Sequence, residues 1–304
     1  MRCDVRREER TNENTMTKDH HPSYADRALQ ETVSIEQNVP LARDTYRLRF
    51  ACSEIARRIV PGQFVMLRLA GYNDPLLGRP LALYDVVGGS DGRPEALDIV
   101  YLVVGKLTGH LATLKPGVPL DVWGPLGNGF PPTDTEHLVM VAGGIGQTPF
   151  PALAREYLGL HAYGDPPRQV PRAEKVTLCY GARRAEYLAG VDDFRRLGVD
   201  VHLSTDDGST GHHGPVTELI RPVVERSGSA CRIVCCGPEP MIEATSEIAR
   251  QLGVPCQVSL EAPMACGIGI CFSCVAKIRD ASGRWDYRRT CVDGPVFEAD
   301  DVQW

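Results

Sequence analysis

Four cysteines near the end of this 304-residue chain are spaced to act together: Cys266-x4-Cys271-x2-Cys274-x16-Cys291. A [2Fe–2S] cluster needs four thiolates, and a tight C-x4-C-x2-C loop can wrap it while the fourth ligand arrives from a distant segment. Gly267 and Gly269 lie inside that loop. Glycine lets the backbone come close and turn amide N–H groups toward the sulfurs, and such hydrogen bonds help set a reduction potential. A four-cysteine zinc site is the competing reading. Zinc ligands usually come in close pairs, and Cys291 has no near neighbour. A disulfide framework would be spread through a smaller chain. Of the other cysteines, Cys3, Cys52 and Cys179 stand singly, and Cys231, Cys235, Cys236 and Cys256 adjoin apolar runs. Most of these are expected to be small buried hydrophobes.

Two glycine turns could meet a phosphate. Gly143-Gly144-Ile145-Gly146 follows an apolar strand and precedes a helix, with Thr148 as an expected N-cap and Pro149 at the first helical position. It is not a full G-x-G-x-x-G, because Pro149 takes the third glycine's place. Cys236-Gly237-Pro238-Glu239-Pro240-Met241 also joins a strand to a helix. Read alone, each is an ordinary turn. Together they are expected on one edge of a parallel sheet, beyond the carboxyl ends of its strands, where such domains bind nucleotides. Arg79-Pro80-Leu81-Ala82 offers an arginine beside a strand, suited to a pyrophosphate. Gly105-Lys106-Leu107-Thr108 and Gly124–Phe130 (GPLGNGF) are turn-rich. His212-His213, on a Gly-rich loop, is expected to be solvated.

The elements that would position these groups fall into three blocks. Short strand candidates over residues 31–50, 63–69, 81–87 and 97–104, punctuated by Gly and Pro, predict a small antiparallel β-barrel over residues 31–132. Alternating strands and helices predict a parallel α/β domain over residues 133–255, with strands at 137–142, 175–180, 199–204 and 231–235 and helices at 182–197, 216–225 and 239–252. The loop-rich block 256–304 needs a staple, which a cluster can supply. Residues 1–30 are polar and read as a disordered tail, within which Met16 offers a second start. The net charge of −6 gives no basic footprint for nucleic acid. No apolar run is long enough to span a bilayer and no secretory h-region is present, so a cytoplasmic location is expected.

On these residues the chain, from about residue 31 to its end, resembles the electron-transfer subunits of dihydroorotate dehydrogenase B, within the ferredoxin-reductase-like superfamily. The most specific likeness is Ser259–Cys274 (SLEAPMACGIGICFSC) with Cys291–Phe297 (CVDGPVF). The resemblance implies FAD held by Arg79, Pro80, Leu81 and Ala82 and by Gly105, Lys106, Leu107 and Thr108. It implies NAD at Gly143, Gly144, Gly146, Cys236, Gly237 and Pro238, and the cluster on Cys266, Cys271, Cys274 and Cys291. Ala82 stands where the family usually has Ser, and Leu107 where it has a second Gly. Gly124–Phe130 resembles the linker between domains, and Thr205–Ser209 (TDDGS) a loop near the nucleotide. The implied partner is a catalytic FMN subunit that oxidises dihydroorotate, in a heterotetramer. Electrons would pass from FMN through the cluster and FAD to NAD+, and no catalytic acid or base is expected in this chain. Arg183 and Arg184, after the second α/β strand, leave the choice between NAD and NADP open, though the resemblance points to NAD. Subunits of ferredoxin:NADP oxidoreductases and sulfide dehydrogenases share much of the pattern and are the alternatives, with a non-enzymatic zinc-binding interaction module as a third.

Overall fold

The computed structural model describes residues 24–228 and 230–304. The expected tail falls outside the described residues up to residue 23; Tyr24–Arg27 form a 3-10 turn, and the first strand starts at Leu29.

Six strands close a barrel: β1 (Leu29–Ala42), β2 (Thr45–Ala51), β3 (Phe64–Leu69), β4 (Arg79–Gly88), β5 (Pro94–Leu102) and β6 (Pro119–Leu126), in the order β1-β2-β5-β4-β3-β6. All neighbouring pairs are antiparallel. Closure removes exposed edges. Leu48, Phe50, Leu67, Leu83, Ile99 and Val122 fill the interior and are fully buried. Helix α1 (Ser53–Arg58) follows β2, and α2 (Lys106–Leu111) follows β5.

The second sheet has seven strands in the order β10-β9-β8-β7-β11-β12-β15. They are β7 (His137–Gly143), β8 (Lys175–Ala182), β9 (Asp200–Thr205), β10 (His212–His213), β11 (Cys231–Cys236), β12 (Cys256–Ser259) and β15 (Val296–Glu298). All pairings are parallel except β12 with β15. β7 is buried along its whole length, as a central parallel strand covered on both faces should be. Its helices are α3 (Phe150–Tyr157), α4 (Val191–Arg196), α5 (Ile220–Glu225) and α6 (Glu239–Leu252). A hairpin of β13 (Val275–Arg279) and β14 (Trp285–Arg289) stands apart as a two-stranded sheet.

Three local expectations are corrected. Thr148 does not cap a helix: a 3-10 turn, Gly144–Gln147, intervenes and α3 begins after Pro149. The helix expected over 182–197 is a strand end, one 3-10 turn (Ala185–Tyr187) and the short α4, because Gly190 takes a left-handed φ of 69°. Over 216–225, a 3-10 turn (Val216–Leu219) precedes α5; Pro222 has no N–H to give the Glu218 carbonyl, a bond that one continuous helix would need.

Candidate cofactor-binding site

The cluster loop lies against the barrel. Cys274 and Cys291 are buried in one small apolar group with Phe64, Met66, Leu126 and Val292. Gly267 has a left-handed φ of 74°, and a Cβ there would stand 2.5 Å from Met66 Cγ. Glycine is therefore required twice over, by conformation and by space. Trp123, on β6, donates its indole N–H to the Cys266 carbonyl at 3.0 Å.

The four thiols lie within electrostatic reach of one another. Cys271 interacts with Cys266, and hydrogen bonds from Ser273 and then Cys266 hold its thiol below the ordinary cysteine range. Cys291 interacts with Cys274, and burial followed by that neighbour pushes its thiol up. Cys266 lies within electrostatic reach of Cys291. Two irons ask for two thiolates each, whereas one zinc gathers its ligands around a single point. Four thiolates at this spacing suit a two-iron cluster. All ten described cysteines are free thiols, which opposes a disulfide framework. The singly placed Cys52 and Cys179 are buried, as expected, while Cys3 lies outside the described residues.

Arg79 opens β4 next to this loop. Trp123 bridges the two segments: a Cβ on Gly78 would lie 2.6 Å from its ring. Arg79 is exposed and donates only to the Leu77 and Gly78 carbonyls among the described residues. Pro80 and Ala82 pair with Met66 and Phe64 on β3. At the start of α2, Thr108 Oγ1 accepts from the N–H groups of Val104 and Gly105, each at 3.1 Å. Leu107 is buried in the barrel core, so it replaces the family's second glycine by packing inward. An ion pair between Lys106 and Asp74 ties this turn to the loop leading into Arg79. Tyr72, Leu76, Leu77 and Val104 are large apolar side chains left exposed on these two segments. An exposed arginine, a tight backbone turn and apolar cover suit the pyrophosphate and ring of a flavin.

The two glycine turns of the second sheet meet. β7 and β11 are neighbours, with Ala142 opposite Cys236. After β7 the chain builds outward through β8, β9 and β10, then returns to β7's other side with β11. The crevice between them is the topological switch point, where such sheets bind nucleotides. A Cβ on Gly143 would stand 2.6 Å from Met241 Sδ, one on Gly146 would collide with the Cys236 carbonyl, and one on Gly237 would lie 2.9 Å from Gly143 N. Nearby, Ser209 Oγ accepts from Ala185 N–H at 2.8 Å, and Arg184 lies 3.8 Å from Asp207. His212 pairs with Glu218 at 2.6 Å.

Two motifs that sequence alone leaves separate are stitched together. Asn128 of the linker donates to the Val296 carbonyl at 2.8 Å and accepts from Val296 N–H at 3.1 Å. Its own N–H donates to the Gly294 carbonyl at 2.7 Å. Trp123 and Arg289, both at the cluster loop, escape sequence reasoning: neither sits in a glycine or cysteine motif.

Residues 261–303 match the iron–sulfur cluster binding domain of dihydroorotate dehydrogenase B, and residues 140–247 an oxidoreductase NAD-binding domain. The dihydroorotate dehydrogenase B (NAD(+)) electron transfer subunit of Desulforamulus reducens is 36% identical over 266 residues, 87% of this chain and 94% of that one. The chain belongs to this family of electron transfer subunits. The corresponding subunit of Caldanaerobacter subterraneus is 34% identical over 87% of this chain and 95% of its own. Among solved structures, that of an NADH-dependent reduced ferredoxin-NADP oxidoreductase superposes with a TM-score of 0.72 at 29% identity, over 90% of each chain. A ferredoxin NADP+ reductase from Neisseria gonorrhoeae with bound FAD and NADP shares the fold, with a TM-score of 0.56 at 18% identity over 74% of this chain and 92% of that one. Among the described residues no helix is long and apolar enough to cross a membrane.

Proposed function

We propose that this chain is the electron-transfer subunit of an NAD-dependent dihydroorotate dehydrogenase, carrying electrons from a partner's FMN through a [2Fe–2S] cluster and FAD to NAD+. The observation that carries the reading is the burial of Cys274 and Cys291 in one apolar group with Phe64 and Met66 of β3 and Leu126 of β6, beside the strand that opens with Arg79. Bound FAD takes electrons singly and gives them up as a hydride, which is the exchange needed between a one-electron cluster and nicotinamide.

In this reading the four cysteines hold the irons. Arg79, Pro80, Leu81 and Ala82, with Gly105, Lys106, Leu107 and Thr108, hold FAD. Gly143, Gly144, Gly146, Cys236, Gly237 and Pro238 hold NAD. The units are 31–132 for FAD, 133–255 for NAD and 256–304 for the cluster, the last lending β12 and β15 to the second sheet. Asp207 beside Arg184 offsets a charge that would otherwise favour a 2′-phosphate, which supports NAD over NADP. Ile268, Ile270 and Phe272 leave apolar surface exposed on the cluster loop, suited to a catalytic FMN subunit in a heterotetramer. A cytoplasmic setting accompanies this assignment.

The test is anaerobic purification. About two irons per chain, releasable FAD and a [2Fe–2S] electron paramagnetic resonance signal are expected. Cys271→Ser, at an exposed position, is expected to abolish that signal while the barrel keeps its flavin. Zinc without iron would sink the proposal. Co-purification separates the alternatives: a dihydroorotate-oxidising chain supports this reading, and a large iron–sulfur flavoprotein points to the structurally related ferredoxin:NADP branch.

A further inference from the structure

Arg289, the last residue of β14, touches every segment that carries a cluster cysteine. Its Nη1 donates to the Gly269 carbonyl at 3.1 Å, inside the Cys266–Cys271 loop. Its guanidinium lies 5.4 Å from the ring centre of Phe272, between Cys271 and Cys274. Its backbone N–H and Nε donate to Asp293 Oδ2 at 2.8 and 3.2 Å, just beyond Cys291. Its carbonyl accepts from the N–H groups of Val292 and Asp293 at 3.1 and 2.7 Å. The side chain is about a third exposed (32%), so its charge is only partly screened by solvent.

We propose that Arg289 is a positioning residue that clamps the three ligand segments and, through its fixed positive charge, raises the reduction potential of the cluster they hold. The proposal rests on the four cysteines holding that cluster. Reduction would add one electron to the irons of a centre that its four thiolates already make anionic, with no bond made or broken. A cation within electrostatic reach of Cys274 and Cys291 favours the added charge, and Asp293 offsets part of the effect. The planar fork of the guanidinium spans Gly269 and Asp293 together, which a lysine ammonium does not do.

The experiment is a redox titration of the purified complex followed by the cluster's electron paramagnetic resonance signal, with iron release to a chelator measured in parallel. Arg289→Gln is expected to lower the reduced-to-oxidised ratio at fixed potential about tenfold, or about 59 mV for one electron. Arg289→Lys, which keeps the charge but not the fork, is expected to stay within about threefold of the native ratio while releasing iron several times faster. An unchanged potential in Arg289→Gln, or equal shifts in Gln and Lys, overturns the proposal. Should Arg289→Gln purify without iron, Asp293→Asn carries the test: it keeps the guanidinium, removes the opposing carboxylate and must raise the potential, and no rise overturns the proposal. Iron-free native protein would instead defeat the cluster assignment itself, so the two failures are distinct.

Discussion

Trp123 and Cys266 are joined by a hydrogen bond from the indole N–H to the backbone carbonyl at 3.0 Å, and the same indole packs on Gly78, next to Arg79. One barrel side chain thus spans from a cysteine proposed to hold the cluster to the arginine proposed to hold the flavin. Trp123→Phe keeps most of the ring and loses the bond. The expected cost is about 1 kcal/mol, seen as iron lost to a chelator several times faster than from the native protein, with flavin content unchanged. Iron loss at the native rate would remove this link from the account.

Arg79 is exposed, and its hydrogen bonds are to the carbonyls of its own loop, so its removal disturbs little of the fold. Arg79→Ala is expected to weaken FAD binding about tenfold or more, since charge-assisted hydrogen bonds contribute about 1.5–3 kcal/mol. Flavin retained after dialysis is the measure. The iron content should stay constant.

Gly146→Ala would drive a methyl group into the Cys236 carbonyl. The crevice between β7 and β11 should open or distort. Reduction of the flavin by NADH is expected to fall by a factor of ten or more, by analogy with other close-packed glycine turns at nucleotide sites. The flavin and cluster spectra should match the native ones. An unaffected rate would place the nucleotide elsewhere.

His137 is fully buried, with Nδ1 2.7 Å from Ser227 Oγ and Nε2 2.8 Å from Thr177 Oγ1. Burial, and then the charge of Lys175, lower its pKa from 6.5 to about 4. Below pH 6.5 the unfolded chain takes up a proton that the folded chain refuses. Stability is therefore full above that value, falls as pH drops, and has lost its whole contribution near pH 4. The loss is up to about 3 kcal/mol. Urea midpoints at pH 7.5 and pH 5 should differ less in His137→Gln than in the native protein; an equal pH dependence would exclude His137 as its source.

Much of this molecule is legible in its residues because the signals are local. The cysteine spacing marks the ligand loop, and unbroken apolar runs such as Leu138–Ala142 mark buried parallel strands. α6 is marked at its start by Pro240 in its first turn, and the structure ends it at Gly253, left-handed at φ 65°. What escaped depends on tertiary partners. β10 has two residues and exists only because β9 lies beside it. β12 and β15 look like loop until they are seen pairing at the sheet edge, Val258 opposite Phe297. Trp123 reads as one aromatic in a strand, and Arg289 as one arginine of a basic pair, until the folded loop brings backbone carbonyls to each. Leu107 breaks the expected glycine pattern for a reason that only the packed barrel supplies.

The pairing of β12 with β15 has a mechanical consequence. The polypeptide leaves the nucleotide sheet along one strand, forms the cysteine loop, and comes back along the adjacent strand in the opposite direction. The loop is anchored at both roots, like a handle riveted to a plate, and Asn128 and Trp123 pin it to the barrel as well. The separation between this loop and the barrel is then set as the chain folds.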